Sequence, residues 1–423
     1  MNTVSEAGHS ATATPMPRRW LPLAGGALMN MAIGTFYAVS VFLRPLESEF
    51  GWTRAQTSWI TTLAIVTFVS SYSLGGVLYD RKGPRVVAVS GGLLFSLGYF
   101  LAGQIHSVTA LCLSLGVCAG IGNGFCYVVP TSVASKWYPD KRGLAIGLMV
   151  GSFGAGSGFF GPLASLLIER VGWRATFQIH AALFLVMTMT AAALLRNPPG
   201  DFRPPSGVAG SAVGSRIDVP TSQMIRTRTF RLLWLAYCLG TTAGVMVISQ
   251  LVPFAYSAGH SAAVGAFAIT VGALGNSSGR ILSGWLSDRV GRINTIRTVL
   301  VVSAAAMPAL YALRENTLLF YAFLFVVYYC YGTQLSVYAS TCADFYGTRY
   351  IGLNYGLLLA AFGVAGVFGP SIGGRVYVTT GEYKWAFLTA ALLELIALAA
   401  LWRVSGAGRG EFDAGIRKMP GCR

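Results

Sequence analysis

Asp80-Arg81-Lys82-Gly83-Pro84-Arg85 follows one long apolar run, and Asp288-Arg289-Val290-Gly291-Arg292 follows another, 208 residues later. The same shift carries Trp137-Tyr138 onto Phe345-Tyr346 and Gly161-Pro162 onto Gly369-Pro370. One residue more carries Gly147 onto Gly356. An offset near half of the 423 residues, recovered at four separate places, means a chain of two similar halves.

Each half is built for a bilayer. Only 11% of residues are charged and 54% are hydrophobic, with a mean hydropathy of +0.59; a soluble chain carries about 25% charged residues. Apolar runs of roughly 20 residues, enough to cross a hydrocarbon core about 30 Å thick, recur along the whole sequence. Twelve are expected, at 20–43, 57–79, 86–104, 109–134, 143–168, 174–195, 230–256, 261–286, 296–313, 317–340, 351–376 and 385–402. The fold class is therefore an all-α membrane protein with twelve transmembrane helices in two pseudo-symmetric six-helix bundles. The first bundle is expected at 20–196 and the second at 230–403, with tails at 1–19 and 404–423. The Pro-, Gly- and Ser-containing stretch 197–229 reads as the linker between them.

The formal net charge of +16 is distributed in a way that points to lipid and away from nucleic acid. With the N-terminus placed inside, 23 of the 31 basic residues fall in loops on one side and six on the other. That is the positive-inside asymmetry, so both tails are expected in the cytoplasm of a multi-pass protein of a bacterial inner membrane. Attraction to anionic head groups accounts for the excess. The apolar run after residue 19 is longer than a signal-peptide core, so no cleavage is expected.

Several motifs carry no chemistry. The seven cysteines lack metal-ligand spacing, so neither a metal nor another cofactor is expected. Gly156-Ser-Gly158-Phe-Phe-Gly161 matches a dinucleotide fingerprint, but no strand precedes it and it lies within a span, where close helix packing explains it. Asn276-Ser277-Ser278 matches a glycosylation acceptor at a depth where no glycan can be attached. No nucleophile, carboxylate pair or metal cluster converges at one membrane depth, so the chain does not read as an enzyme.

Arg280 stands out. It lies within Ser261 to Leu286, a stretch without any acidic residue to neutralise it. A guanidinium at that depth costs on the order of 3 kcal/mol or more, so it should face protein or water and take an anionic partner. At helical spacing Thr270, Asn276 or Ser277, Arg280, Ser283 and Ser287 form a polar stripe expected on a water-filled cavity. Asn276, one turn before Arg280, is placed to orient the guanidinium, whose planar fork matches a carboxylate. The alternative is an Arg280 that snorkels to the interface.

The loops Gly75-Gly76-Val-Leu-Tyr-Asp80-Arg81-Lys-Gly83-Pro-Arg85 and Gly284-Trp-Leu-Ser-Asp288-Arg289-Val-Gly291-Arg292 resemble the signature loops of the major facilitator superfamily. Lys136-Trp137-Tyr138-Pro-Asp-Lys141-Arg142-Gly143-Leu144-Ala145-Ile-Gly147 resembles the fifth-span motif of monocarboxylate transporters. Gly34-Thr-Phe36-Tyr37 through Phe50-Gly51-Trp52-Thr53 is similar to the bacterial oxalate/formate antiporter group. The resemblance implies the major facilitator fold, with two bundles rocking about a central site. It also implies a gating role for Asp80, Arg81, Asp288 and Arg289 at the cytoplasmic face.

Two departures bear on substrate. Monocarboxylate transporters typically carry an Asp one turn before the eighth-span Arg, where this chain has Asn276. The oxalate exchangers pair that Arg with a Lys in span eleven, where this chain reads Leu359-Ala360-Ala361-Phe362-Gly363-Val364. One cation matched to one carboxylate favours monoanions such as lactate, pyruvate or acetate. Tyr331 is the expected contact from span ten. Leu28 and Tyr37 in span one, Tyr127 in span four and Ala145 in span five are expected to close the site. His260 is the candidate for proton coupling. The expectation is a proton-coupled monocarboxylate carrier that functions as a monomer, with an oxalate/formate-type exchanger or a non-transporting anion sensor as the alternatives.

Overall fold

A computed structural model describes residues 19–199, 202 and 218–404. Almost all of both expected tails and most of the 197–229 linker lie outside the described residues. The helices are α1 (Trp20–Ile33), α2 (Ser40–Phe50), α3 (Arg54–Lys82), α4 (Pro84–Ala102), α5 (Val108–Leu111), α6 (Gly120–Trp137), α7 (Arg142–Leu194) and α8 (Thr221–Met224). They continue as α9 (Arg228–Ser249), α10 (Leu251–Ser257), α11 (Ala262–Val290), α12 (Arg292–Ala312), α13 (Thr317–Tyr346), α14 (Ile351–Thr380) and α15 (Tyr383–Trp402). A 3-10 segment, Gly34–Val39, joins α1 to α2, and a π segment, Cys112–Ala119, joins α5 to α6.

Ten of these helical stretches are long and apolar enough to cross a membrane. The protein is an all-α, multi-pass membrane protein. The twelve expected spans correspond to those ten, with α7 holding two and α11 adding another. α7 is nominally 53 residues, but Gly172 within it is not helical (φ 78°, ψ 164°). The rings of Phe160 and Phe184 stand 5.0 Å apart across it, whereas a straight helix would separate them by about 36 Å. The chain therefore reverses at Gly172. α11, at 29 residues, is long enough but interrupts its apolar surface with Asn276, Ser277, Ser278 and Arg280.

The expected seventh span, 230–256, breaks after Ser249 and resumes as α10. Pro253 explains the break, because it has no N–H to return to the carbonyl of Ser249 one turn earlier. Elsewhere the helix starts follow local chemistry. Thr53, Ser107, Thr227, Ser261 and Asn316 each cap a helix with a side-chain oxygen. Gly83 (φ 80°) and Gly291 (φ 96°) make the equivalent tight turns after α3 and α11, in a region where a side chain is strained.

The halves meet along two equivalent seams, α3 against α14 and α11 against α7. Small residues let the backbones touch. A Cβ on Gly76 would strike the Gly352 backbone, and one on Gly143 would strike the Gly284 carbonyl. In the dinucleotide-like run, a Cβ on Gly156 would strike the Met31 carbonyl, whereas Gly158 has nothing within 4 Å.

Candidate functional site

The two seams close one end of the molecule. Asp80, in the last turn of α3, accepts hydrogen bonds from the backbone N–H groups of Gly352 (3.4 Å) and Leu353 (3.3 Å) at the start of α14. Asp288, its counterpart on α11, accepts from Gly143 (2.8 Å) and Leu144 (2.9 Å) at the start of α7. Each carboxylate thus caps a helix of the opposite half, where unpaired N–H groups and the helix dipole attract negative charge.

A charge cluster reinforces the second cap. Arg292 donates to Asp288 at 2.6 Å and to Asp344 at 2.7 Å, and Arg142 pairs with Asp344 from across the seam. Two cations and two anions balance there, mostly out of solvent. Arg81 is exposed, and Arg289 is exposed and stacked on Trp285 at 3.9 Å. Neither makes a bond across the seam, so the positive members of the clamp are Arg142 and Arg292 in place of the expected Arg81 and Arg289. Sequence reading had assigned both to loops. A signal existed, since Asp344 stands 208 residues after Lys136 and reverses its charge.

Away from that end lies a cavity of about 670 Å³. Its lining comes from both halves and includes Ser58, Trp59, Thr61 and Thr62 from the first part of α3, and Leu359, Phe362, Pro370 and Ser371 from α14. Ser58, Trp59 and Thr61 are exposed at its mouth. Among its described lining residues there is no Asp, Glu, His or Lys, and Arg280 is the one cation.

Arg280 is 1% exposed. Its Nε donates to Asn276 Oδ1 at 3.0 Å, and its Nη1 donates to the Val150 carbonyl of α7 at 2.7 Å. No carboxylate among the described residues pairs with it. The guanidinium is thus held by neutral oxygens and faces the cavity with its charge unmatched, a costly state unless an anion arrives.

The other expected site residues divide. Tyr331 and Tyr127 line the cavity. Asn276 does not; it acts through Arg280 and packs against Gly332 of α13. Leu28 and Ala145 pack into the hydrophobic core and are absent from the cavity lining. The side chain of Tyr37 lies outside the described residues. His260 is also away from the cavity, its Nε2 2.7 Å from the Arg314 carbonyl and its ring 4.7 Å from that of Phe320.

The polar stripe on α11 serves several purposes, of which only Arg280 faces the cavity. Ser283 donates to the Tyr329 hydroxyl at 2.8 Å, and Ser287 accepts from Arg292 at 2.5 Å. Thr270 is exposed. Two lining residues passed over in sequence, Asn123 and Phe153, had unequal signals. Asn123 is an isolated amide in an apolar span, which marks a functional candidate; Phe153 looks like any lipid-facing ring.

Residues 23–358 match the family model described as Major Facilitator Superfamily. The chain belongs to the major facilitator superfamily. Its relatives place it in the monocarboxylate transporter and oxalate/formate antiporter branch, a family of transporters and not of enzymes. It is 30% identical over 385 residues to the oxalate:formate antiporter of Oxalobacter formigenes, covering 90% of each chain. It is 28% identical over 376 residues to monocarboxylate transporter 13 of Rattus norvegicus, covering 88% of this chain and 85% of the other. In architecture this facilitator resembles FucP in the outward conformation, with a TM-score of 0.69 at 16% identity over 91% of this chain and 98% of that one.

Proposed function

We propose that this facilitator is a secondary carrier of organic monocarboxylates, acting by alternating access. The observation that carries the reading is Arg280, buried at the inner wall of a two-sided cavity with its charge unpaired. A carboxylate seated there completes a charge-assisted, fork-like contact and displaces the weaker bond to Val150. Asn276 sets the guanidinium plane. A lining with one cation suits one carboxylate, as in lactate and pyruvate, better than the two of oxalate.

The moving units are 20–196 and 230–403, with 197–229 joining them. Basic loops flank the clamped end, so we assign that end to the cytoplasm of a bacterial inner membrane. The structure then corresponds to a state open outward, with Asp80 and Asp288 as the closed inner gate. The carrier works as a monomer in a lipid bilayer.

Coupling follows from what the lining lacks. With no Asp, Glu or His among the described lining residues, exchange of one anion for another is favoured over proton symport. The relationship to an oxalate:formate antiporter supports the same direction. His260, bonded to a backbone carbonyl away from the cavity, gives symport little support. Reconstituted vesicles distinguish the two. Labelled lactate entering only vesicles preloaded with a monocarboxylate supports exchange; uptake into empty vesicles under an inward proton gradient supports symport. No saturable uptake under either condition overturns the carrier reading.

A further inference from the structure

The cavity is larger and more aromatic than a three-carbon acid requires. Lactate, with six heavy atoms, displaces roughly the volume of five waters, about 150 Å³. The 670 Å³ cavity is open at Ser58, Trp59 and Thr61, and its apolar wall is far more extensive than a three-carbon acid can cover. Pockets of about 300–1,000 Å³ ordinarily enclose ligands of much greater size.

The rings are organised. Phe153 meets Tyr127 edge to face at 5.0 Å, Tyr127 meets Phe68 at 5.4 Å, and Phe68 meets Phe36 at 6.4 Å. All four line the cavity, forming a continuous aromatic ladder on the first half. Phe153 stands one turn beyond Val150, whose carbonyl holds Arg280, so the ladder begins beside the cation. Arg280 lies eight residues before Asp288 on α11, so it sits about 12 Å above the clamp. Tyr331 and Phe362 face the ladder from the second half.

Asn123 adds a polar feature one turn, about 6 Å, beyond Tyr127 on the same face of α6. It is 1% exposed and lines the cavity. Its Nδ2 donates to the Ile33 carbonyl at 3.4 Å, while its Oδ1 has no partner among the described residues. A buried acceptor left unmatched is suited to a donor brought by a ligand.

We propose that the substrate is an aromatic monocarboxylate, its carboxylate on Arg280, its ring on the Phe153–Tyr127 ladder, and a ring hydroxyl donating to Asn123. The proposal rests on the monocarboxylate reading and narrows it. An ammonium group on the substrate is disfavoured, because no acid stands among the described lining residues to receive it. Offset and edge-to-face ring contacts supply attraction beyond simple burial.

The test measures binding of lactate, phenylacetate and 4-hydroxyphenylacetate to the full-length wild-type carrier in detergent or nanodiscs by calorimetry. Phenylacetate is expected to bind about ten-fold or more tighter than lactate, with the hydroxylated acid tighter again. Asn123→Val should remove the advantage of the hydroxyl alone, and Phe153→Leu should weaken both aromatic acids several-fold more than it weakens lactate. The wild-type comparison needs no variant to fold. Lactate binding as tightly as phenylacetate overturns this inference and leaves the monocarboxylate reading standing. Binding of none of the three overturns both.

Discussion

Arg280 of α11 donates its Nη1 to the carbonyl oxygen of Val150 on α7, 2.7 Å away in the opposite half of the protein. Arg280, the one cation among the described lining residues, is therefore also a tie between the two bundles. A neutral carbonyl binds a guanidinium less strongly than a carboxylate does, so an arriving anion replaces the tie on favourable terms. In the proposed mechanism, substrate binding and the freedom of the halves to rock are linked through this one side chain.

Asn276 tests how that side chain is tuned. Its Oδ1 lies 3.0 Å from Arg280 Nε, and Asn276→Asp would set a carboxylate there without changing shape. The internal ion pair competes with substrate, so affinity near neutral pH should fall about ten-fold, on the order of 1.4 kcal/mol. Acidification protonates the new carboxyl and should restore binding. Titrations at neutral and acidic pH check this; pH-independent affinity would show that the two groups do not interact.

Asp80 and Asp288, the carboxylates of the proposed gate, are equivalent in sequence but unequal in geometry. Asp288 bonds at 2.8 and 2.9 Å and is held by Arg292, while Asp80 bonds at 3.4 and 3.3 Å. Loss of a charge at a helix N-terminus costs about 0.3–2 kcal/mol. Asp288→Ala should therefore open the clamped end several-fold more often than Asp80→Ala. Spin-label distances across that end report the populations, and equal shifts in the two variants would contradict the ranking.

At Gly147 the α7–α11 seam has no room for a side chain. A Cβ on Gly147 would collide with the Arg280 carbonyl, whereas one on Gly158 meets open space. Gly147→Val should destabilise by about 1–3 kcal/mol or more, since the colliding atom is backbone. Gly158→Ala should leave thermal melting within about 0.5 kcal/mol of the parent. A Gly147→Val variant with unchanged melting and transport would show that the seam is looser than described.

What could be read from the sequence was what local residue types encode. The repeated Asp-Arg loops pointed to the two carboxylates that cap helices of the opposite half, and their glycines to the turns at Gly83 and Gly291. Arg280 was legible because its stretch contains no acid. The Val150 carbonyl was not, since every residue supplies one and only the fold selects which is used. Phe36, Phe68 and Phe153 were equally hidden, because a ring facing a cavity and a ring facing lipid look alike in an apolar span. Arg142 and Arg292 counted as loop charges until the fold brought Asp344 between them. The break before α10 was encoded in Pro253 but masked by the apolar residues around it.

Calorimetric titration of phenylacetate and lactate into the wild-type protein, Arg280→Lys and Arg280→Ala tests the central claim most directly. Arg280→Lys keeps the charge but loses the planar fork, and should bind about ten-fold or more weakly; Arg280→Ala should show no saturable binding while melting as a folded protein. Wild-type affinity retained by a folded Arg280→Ala variant would contradict the account, because the cavity would then recognise its anion without Arg280.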